Sequence, residues 1–393
     1  MEEAVIVAGA RTPFVTFGGA LREVPAVDLG AVAIQGALAR SGMLGEDVDY
    51  VWMGQVVQAG AGQIPSRQAT IKAGLPNTVP SETVNKVCAS SLRAVNLAEM
   101  AIRAGDVRVA VAGGMESMSQ APYLVKGARY GLRMGDVPFI DAVIHDGLWC
   151  SFGQCHMGVY GSEVAREYGI GREAQDDWAF QSHQRAIQAI DSGKLAEEIV
   201  PVSVPGKKGP NVQVAADVGP RRDTTREIMG RLRPAFQPDG TVTAGNAPGL
   251  TDGAAALVLM SRAEAERRGI QPLARVVAAG WASREPKYLH TVPAYAAQMA
   301  LARAGLTVRD VKLWEINEAF AAVTLTSMQL LELDGAQVNV NGGAVALGHP
   351  IGATGARILL TLILELRRRG GGYGMAAICS GGGQGEATLV LVD

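Results

Sequence analysis

Four cysteines, at positions 88, 150, 155 and 379, are the side chains in this sequence best able to form covalent intermediates. Cys88 lies in Val84-Asn85-Lys86-Val87-Cys88-Ala89-Ser90-Ser91, between an apolar run and a helical pattern. A thiol at a helix N-terminus beside a cation gains thiolate character and becomes a nucleophile. Buried packing is the commoner role of a single cysteine in a reducing compartment, and position alone does not decide. Cys379 opens the turn Cys379-Ser380-Gly381-Gly382-Gly383-Gln384-Gly385, directly after another apolar run. His349 stands in a third Gly-rich segment, Asn339 to Ala353, and Asn317-Glu318-Ala319-Phe320 sits where a strand gives way to a helix. Glycines at such turns let backbone N–H groups approach a reacting oxygen. The pattern points to a cysteine-nucleophile transferase or hydrolase. Ordinary turns, and a helix that simply starts at His349-Pro350, are the alternative.

Other chemistries find little support. Cys150-x4-Cys155 with His156 lacks a second ligand pair at zinc spacing, so no metal is expected and both thiols are read as packing. Neither GxxxxGK[ST] nor GxGxxG occurs, and there is no HExxH.

The elements that must position these residues alternate along the chain. Val5–Gly9 reads as a buried strand, Ala26–Arg40 as an amphipathic helix stopped by Gly42, Val48–Val57 as a strand, and Ser66–Ala73 as a short helix. Ser81–Val87 (strand), Ser90–Ala104 (helix) and Val107–Ala112 (strand) follow. The second half repeats the plan. Strands are expected at Ala274–Ala279, Val311–Ile316, Gln337–Val340 and Met375–Cys379, and helices at Ala294–Arg303, Ala319–Leu333 and Thr354–Arg369. Ala89-Ser90-Ser91-Leu92-Arg93 echoes Ala353-Thr354-Gly355-Ala356-Arg357, each opening a long helix. The expectation is a duplicated α/β unit with a mostly parallel sheet. Cys88, Asn317, His349 and Cys379 all fall at predicted strand ends, where open α/β sheets bind ligands.

Residues 119–249 have a different texture, rich in Gly, Met, Arg and Pro, with a helix at Arg172–Asp191. They carry a basic stretch: Lys207, Lys208, Arg221, Arg222, Arg226, Arg231 and Arg233. This segment reads as an insertion. The first unit, 1–118, resumes over 250–270 with a strand at Ala254–Met260 and a capping box at Ser261-x-x-Glu264. Residues 271–393 form the second unit. Net charge is −2, which gives no electrostatic case for a nucleic-acid or anionic-membrane partner. The acidic start, Met1-Glu2-Glu3, is unlike a targeting peptide, and no apolar run nears the ~20 residues a membrane span needs. A soluble, cytoplasmic protein is expected.

At these motifs the chain resembles the thiolases, in particular the biosynthetic acetyl-CoA C-acetyltransferases. Asn85-Lys86-Val87-Cys88-Ala89-Ser90, Asn317-Glu318-Ala319-Phe320-Ala321, Gly342 to Ala353 and Cys379-Ser380-Gly381-Gly382-Gly383 carry the resemblance, with Thr243 to Ala247 and Asp252 to Ala256. It implies two βαβαβαββ halves stacked in five layers with an inserted loop domain. It also implies a homo-oligomer, favoured as a dimer of dimers through a loop near Met134-Gly135-Asp136. The implied chemistry is a ping-pong Claisen condensation of two acetyl-CoA to acetoacetyl-CoA and CoA, or the reverse thiolysis of a 3-ketoacyl-CoA. Cys88 would be acylated, His349 would take its proton, and Cys379 would act as the α-carbon base. A water on Asn317, with His349, would hold the enolate, while the N–H groups of Cys88 and Gly381 would hold the tetrahedral oxyanion. Coenzyme A thioesters are substrates, and no further cofactor is implied. Phe236, His156, Met157, Ala244 and Phe320 match substrate-lining positions, and Arg221 in the basic stretch suits a phosphate.

Three positions depart from the frequent pattern: Pro248, Ser91 and Ser380. They put acyl-chain preference in doubt. A ketoacyl-synthase-type condensing enzyme is the nearest alternative, but those lack a second reactive cysteine. A non-catalytic acyl-CoA- or lipid-binding relative would have lost Cys88, His349 or Cys379.

Overall fold

The computed structural model describes residues 2–206 and 209–393, so Lys207 and Lys208 of the basic stretch lie outside the described residues. Nine core strands build one continuous sheet: β1 (Ala4–Arg11), β2 (Tyr50–Gly54), β3 (Ser81–Val84), β4 (Val109–Ser117), β5 (Thr251–Ser261), β6 (Ala274–Ser283), β7 (Val311–Ile316), β8 (Gly372–Ser380) and β9 (Gln384–Val392). Their order is β7-β8-β9-β6-β1-β5-β4-β2-β3, and Val15–Thr16 adds a short strand beside β5. Only β2/β3, β2/β4 and β7/β8 run parallel; the other pairs are antiparallel. The sheet is therefore mixed, not mostly parallel. Each half ends on an antiparallel strand, β5 in the first and β9 in the second, and β1 and β6 meet antiparallel; β9 was not isolated by its apolar pattern. It turns back tightly after Ser380 and pairs antiparallel with β8 from Ser380↔Gln384 to Gly372↔Val392.

The duplication is visible in the pairing. One half runs β3-β2-β4-β5-β1, and the other runs Val338-β7-β8-β9-β6, with the same parallel and antiparallel sequence. The strand expected at Gln337–Val340 is reduced to a single bridge between Val338 and Trp314. Asn339 is the cause. Its side-chain amide accepts from Ile316 N–H (2.9 Å) and donates to Ile316 C=O (2.8 Å), occupying the ladder positions a strand's backbone would take. Its φ of 48° also turns the chain out of extended geometry.

Helices complete the layers: α1 (Ala26–Ser41), α2 (Pro65–Lys72), α3 (Ser90–Ala104), α4 (Met157–Glu167), α5 (Arg172–Asp191), α6 (Val292–Ala304), α7 (Ala321–Leu331) and α8 (Thr354–Arg368). α3 and α8 lie between the two sheet halves and touch strands of both. Their apolar faces, among them Leu92, Val95, Ile102, Leu359, Leu362 and Ile363, form the central core. Each buried Leu or Ile there contributes about 1.5–3 kcal/mol relative to exposure. α1 and α2 cover the outer face of the first half, and α6 and α7 that of the second, giving five layers. Where α8 crosses α3, a Cβ on Gly355 would stand 2.5 Å from Leu92 N, so only glycine permits the approach.

The insertion docks through buried polar pairs. Arg11 at the end of β1, fully buried, binds Glu198 at 2.7 Å and holds Asp217 bidentately at 2.7 and 2.8 Å. The expected capping box after β5 is half formed: Ser261 Oγ accepts from Glu264 N–H, while the Glu264 carboxylate binds Arg267 and Arg268 instead. No helix among the described residues is long and apolar enough to cross a membrane.

Candidate active site

Two turns, one after β3 and one after β8, place the two cysteines. β3 ends at Val84, and the chain reaches Cys88 just before α3. Val87, a β-branched residue, holds a φ of 45°, a strained conformation characteristic of functional turns. Hydrogen bonds over-determine this turn: Asn85 Oδ1 accepts from Val87 N–H (3.0 Å), and Ser90 Oγ accepts from Lys86 N–H (2.9 Å). Cys379 is fully buried near the end of β8. Ser380, a departure from the frequent family pattern, donates its hydroxyl to Lys86 C=O at 2.5 Å. It stitches the Cys379 turn onto the Cys88 turn. Ser91, another departure, accepts from Ala356 N–H at 3.0 Å and satisfies a donor in the first turn of α8.

Both thiols face one apolar cavity of about 310 Å³. Cys88, Cys379, His349 and Gly381 line it together with His156, Met157, Phe236 and Phe320. Two expected substrate residues do not: Arg221 and Ala244 are exposed and contribute nothing to the cavity wall. Asn317 lies behind it, with Nδ2 3.4 Å from His349 Nε2. Its Oδ1 is buried and has no protein partner. A water molecule bound there is what buried amide oxygens require.

His349 is nearly fully buried, and its contacts favour one ring nitrogen as the carrier of hydrogen. Nδ1 is 2.7 Å from Thr354 Oγ1, and that hydroxyl donates to Pro350 C=O at 3.0 Å. With its one proton engaged, Thr354 offers the ring only a lone pair, so Nδ1 is the donor. Nε2 then bears a lone pair, consistent with the amide N–H of Asn317 pointing at it. Burial, with a smaller contribution from the Arg357 cation, pushes the imidazole pKa down to about 3, so the ring is neutral.

From sequence, a helix N-terminus and a nearby cation are expected to activate Cys88. The structure corrects this. Burial dominates and pushes the Cys88 thiol up to about 12, a shift only partly offset by its own N–H and that of Gly381. Burial, with repulsion from a Cys88 thiolate, raises Cys379 in the same direction. The resting site therefore holds two thiols and a neutral imidazole. The two N–H groups that reach Cys88 sulfur come from residues 88 and 381, the pair expected to hold an oxyanion.

Several determinants were missed from sequence. Glu116, fully buried at the end of β4, accepts from the N–H groups of Val56 (3.0 Å), Val57 (3.2 Å) and Gly352 (3.0 Å). It ties the His349 segment to the loop after β2. Its desolvation outweighs these bonds and lifts its pKa to about 8. A lone carboxylate after the apolar run Val109–Met115 was the available signal. Glu318 accepts from Trp178 Nε1 (2.9 Å), Ser182 Oγ (2.8 Å), Asn339 Nδ2 (3.0 Å) and Val345 N (2.9 Å). It binds α5 of the insertion to the segment that leads into His349. A π-helical turn over Val143–Leu148 supplies Ile144, Gly147 and Leu148 to the cavity, which no local pattern disclosed.

Comparison with known proteins defines the class. The thiolase N-terminal domain matches residues 4–263 and the thiolase C-terminal domain matches residues 270–392. The chain belongs to the thiolase family. Among its relatives, the acetyl-CoA acetyltransferase of Cupriavidus necator is 51% identical over 390 residues, covering 99% of each chain. That of Pseudomonas aeruginosa is 49% identical over 393 residues, the full length of both. A probable acetyl-CoA acetyltransferase of Escherichia coli is 45% identical over 393 residues, again the full length of both.

Proposed function

We propose that this chain is an acetyl-CoA C-acetyltransferase, joining two acetyl-CoA into acetoacetyl-CoA and CoA and running the reverse thiolysis. The observation that carries the reading is the convergence of Cys88, Cys379, His349 and Gly381 on one apolar cavity.

The resting protonation states dictate an order of events. Cys88 Sγ attacks the thioester carbonyl as His349 Nε2 takes the thiol proton. The oxyanion lies against the N–H groups of Cys88 and Gly381; one such donor is typically worth about 2.7–4 kcal/mol of barrier. Collapse expels the CoA thiolate, which takes the proton of Cys379. That leaves an imidazolium on His349 and a thiolate on Cys379, each stabilising the other's charge. A second acetyl-CoA then gives its α-proton to Cys379. Its enolate oxygen accepts from His349 Nε2–H and from a water on Asn317. The carbanion attacks acetyl-Cys88, and the departing Cys88 sulfur recovers its proton from His349. All three groups return to their starting states.

The exposed Arg221 side chain suits a CoA phosphate. Its neighbours Arg222 and Arg226 are paired with Asp191 and Asp177, whereas Arg221 has no ion pair among the described residues. Exposed Tyr130, Leu132, Met134 and Phe139 around Met134-Gly135-Asp136 support a dimer of dimers, and the cytoplasm is the compartment proposed for it. The division into 1–118 with 250–270, an insertion 119–249, and 271–393 follows the two sheet halves.

The test is acylation. Incubation with acetyl-CoA should leave an acetyl adduct on the Cys88 peptide, and an unmodified peptide under turnover conditions would sink the reading. Cys379→Ala should still be acetylated yet fail to condense. Condensation at the wild-type rate would remove Cys379 as the base.

A further inference from the structure

Two thiols outside this chemistry face each other beside the cavity. Trp149–Cys150 and Cys155–His156 form a two-stranded antiparallel hairpin in which Cys150 and Cys155 are direct partners. Opposed residues in such a pair lie about 4.5 or 5.5 Å apart at Cα and project to the same face; both spacings fall within the span a disulfide accepts. Both cysteines are free. Cys150 is buried, Cys155 is partly exposed, and the mechanism uses neither. The Tyr160 hydroxyl hydrogen-bonds to both sulfurs. It reaches them only because residue 153 is glycine: a Cβ there would stand 1.7 Å from the Tyr160 oxygen. Gly153 N–H also donates to Cys150 Sγ at 3.4 Å. The two thiols, read from sequence as packing, do pack in the apolar core here and are in addition a built cluster. The next residues, His156 and Met157, line the cavity, and Leu148 lines it from the other side of the hairpin.

We propose that Cys150 and Cys155 are a reversible oxidation site, closing to a disulfide when the protein meets a hydroperoxide. The partly exposed Cys155 sulfur attacks hydrogen peroxide as its O–O bond breaks, giving a sulfenic acid and one water. Cys150 sulfur then attacks the Cys155 sulfur and expels the hydroxyl as a second water. In sum, two thiols and one hydrogen peroxide give one disulfide and two waters. Tyr160, bonded to both sulfurs, passes the proton between them. The cross-link pins the hairpin that presents His156 and Met157 to the cavity. A dithiol reduces it again by exchange.

The experiment uses the full-length protein carrying Cys88→Ala and Cys379→Ala, so that no other thiol competes. It is treated with hydrogen peroxide, blocked with N-ethylmaleimide and digested with trypsin. Residues 134–166 contain no Lys or Arg before Arg166, so both cysteines fall in one peptide, Met134 to Arg166. The expected result is a peptide lighter by two hydrogens and carrying no maleimide, and dithiothreitol should restore two labelled thiols. Cys155→Ser in the same background should lose the disulfide and leave Cys150 labelled. A peptide that keeps both labels, or that stops at a sulfinic acid on Cys155, would overturn the proposal. Retention of thermal stability close to that of the untreated protein shows that either result belongs to the folded chain.

Discussion

Replacing Thr354 with valine preserves the shape of the side chain and removes only its hydroxyl. In the folded chain that hydroxyl accepts from His349 Nδ1 at 2.7 Å and donates to Pro350 C=O at 3.0 Å. Pro350 C=O keeps a partner, because Thr354 N–H also reaches it at 3.1 Å. The orphan is therefore the buried Nδ1–H, and an unsatisfied buried donor costs about 1–3 kcal/mol. The ring escapes this cost by moving its hydrogen to Nε2, which abolishes the lone pair that takes the Cys88 proton. The tautomer shift moves this cost onto acylation, and at 1.36 kcal/mol per decade it corresponds to a loss of about 5- to 150-fold. The assay is rapid-mixing acetylation of Cys88 alongside steady-state thiolysis of acetoacetyl-CoA. kcat should fall by that factor with KM little changed, since Thr354 does not line the cavity. Thr354→Ser should retain most activity because it restores the hydroxyl. A Thr354→Val protein that folds normally and keeps kcat within about twofold, less than the smallest loss expected for an orphaned buried donor, would refute the assigned tautomer.

Other consequences are equally open to measurement. Acylation should show no break near the ordinary imidazole pKa of about 6.5: His349 is held neutral down to about pH 3, so the base is lost only as pH falls through that value. An acid limb centred near 6.5 in the Cys88 acetylation rate would contradict this. Gly158→Ala should raise KM several-fold while sparing Cys88 acetylation at saturation. Its Cβ would stand 2.1 Å from Phe236 Cδ2 and push that ring out of its 4.2 Å stack on His156; an unchanged KM argues that Phe236 does not contact substrate. Glu318→Gln turns an acceptor of four hydrogen bonds into a group with one amide N–H₂ facing donors. A loss of about 1–3 kcal/mol is expected in denaturant unfolding, together with a fall in kcat as the His349 segment loosens. Leu359→Ala, in the central layer, should cost about 2–5 kcal/mol of stability with little change in KM.

Much of this molecule was legible in the chain itself. The apolar periodicity located α3, α5 and α8 within a residue or two, because α3 and α8 bury a stripe against the sheet, α5 buries one against other helices, and each stops at a glycine or a polar end. Repetition of strand and helix disclosed the duplication, and the Gly-rich turns after Val338 and β8 marked where backbone approaches a candidate reactive group. The second strand class was harder to read. β9 depends on a tight return from Ser380, and the strand expected near Val338 is replaced by the side chain of Asn339.

The candidate reactive residues, and the turns that carry them, were legible in the sequence: Cys88 before a helix, Cys379 and His349 in glycine-rich segments. Their working state was decided only by the tertiary structure. A helix N-terminus by itself lowers a thiol pKa, but enclosure by α3, α8 and the insertion removes the water that would solvate a thiolate, and the pKa rises instead. The same enclosure keeps His349 neutral, and a hydroxyl on α8 selects its tautomer. Desolvation and hydrogen-bond direction depend on what surrounds an atom in space, and residues 236 positions apart, such as Glu116 and Gly352, supply those surroundings.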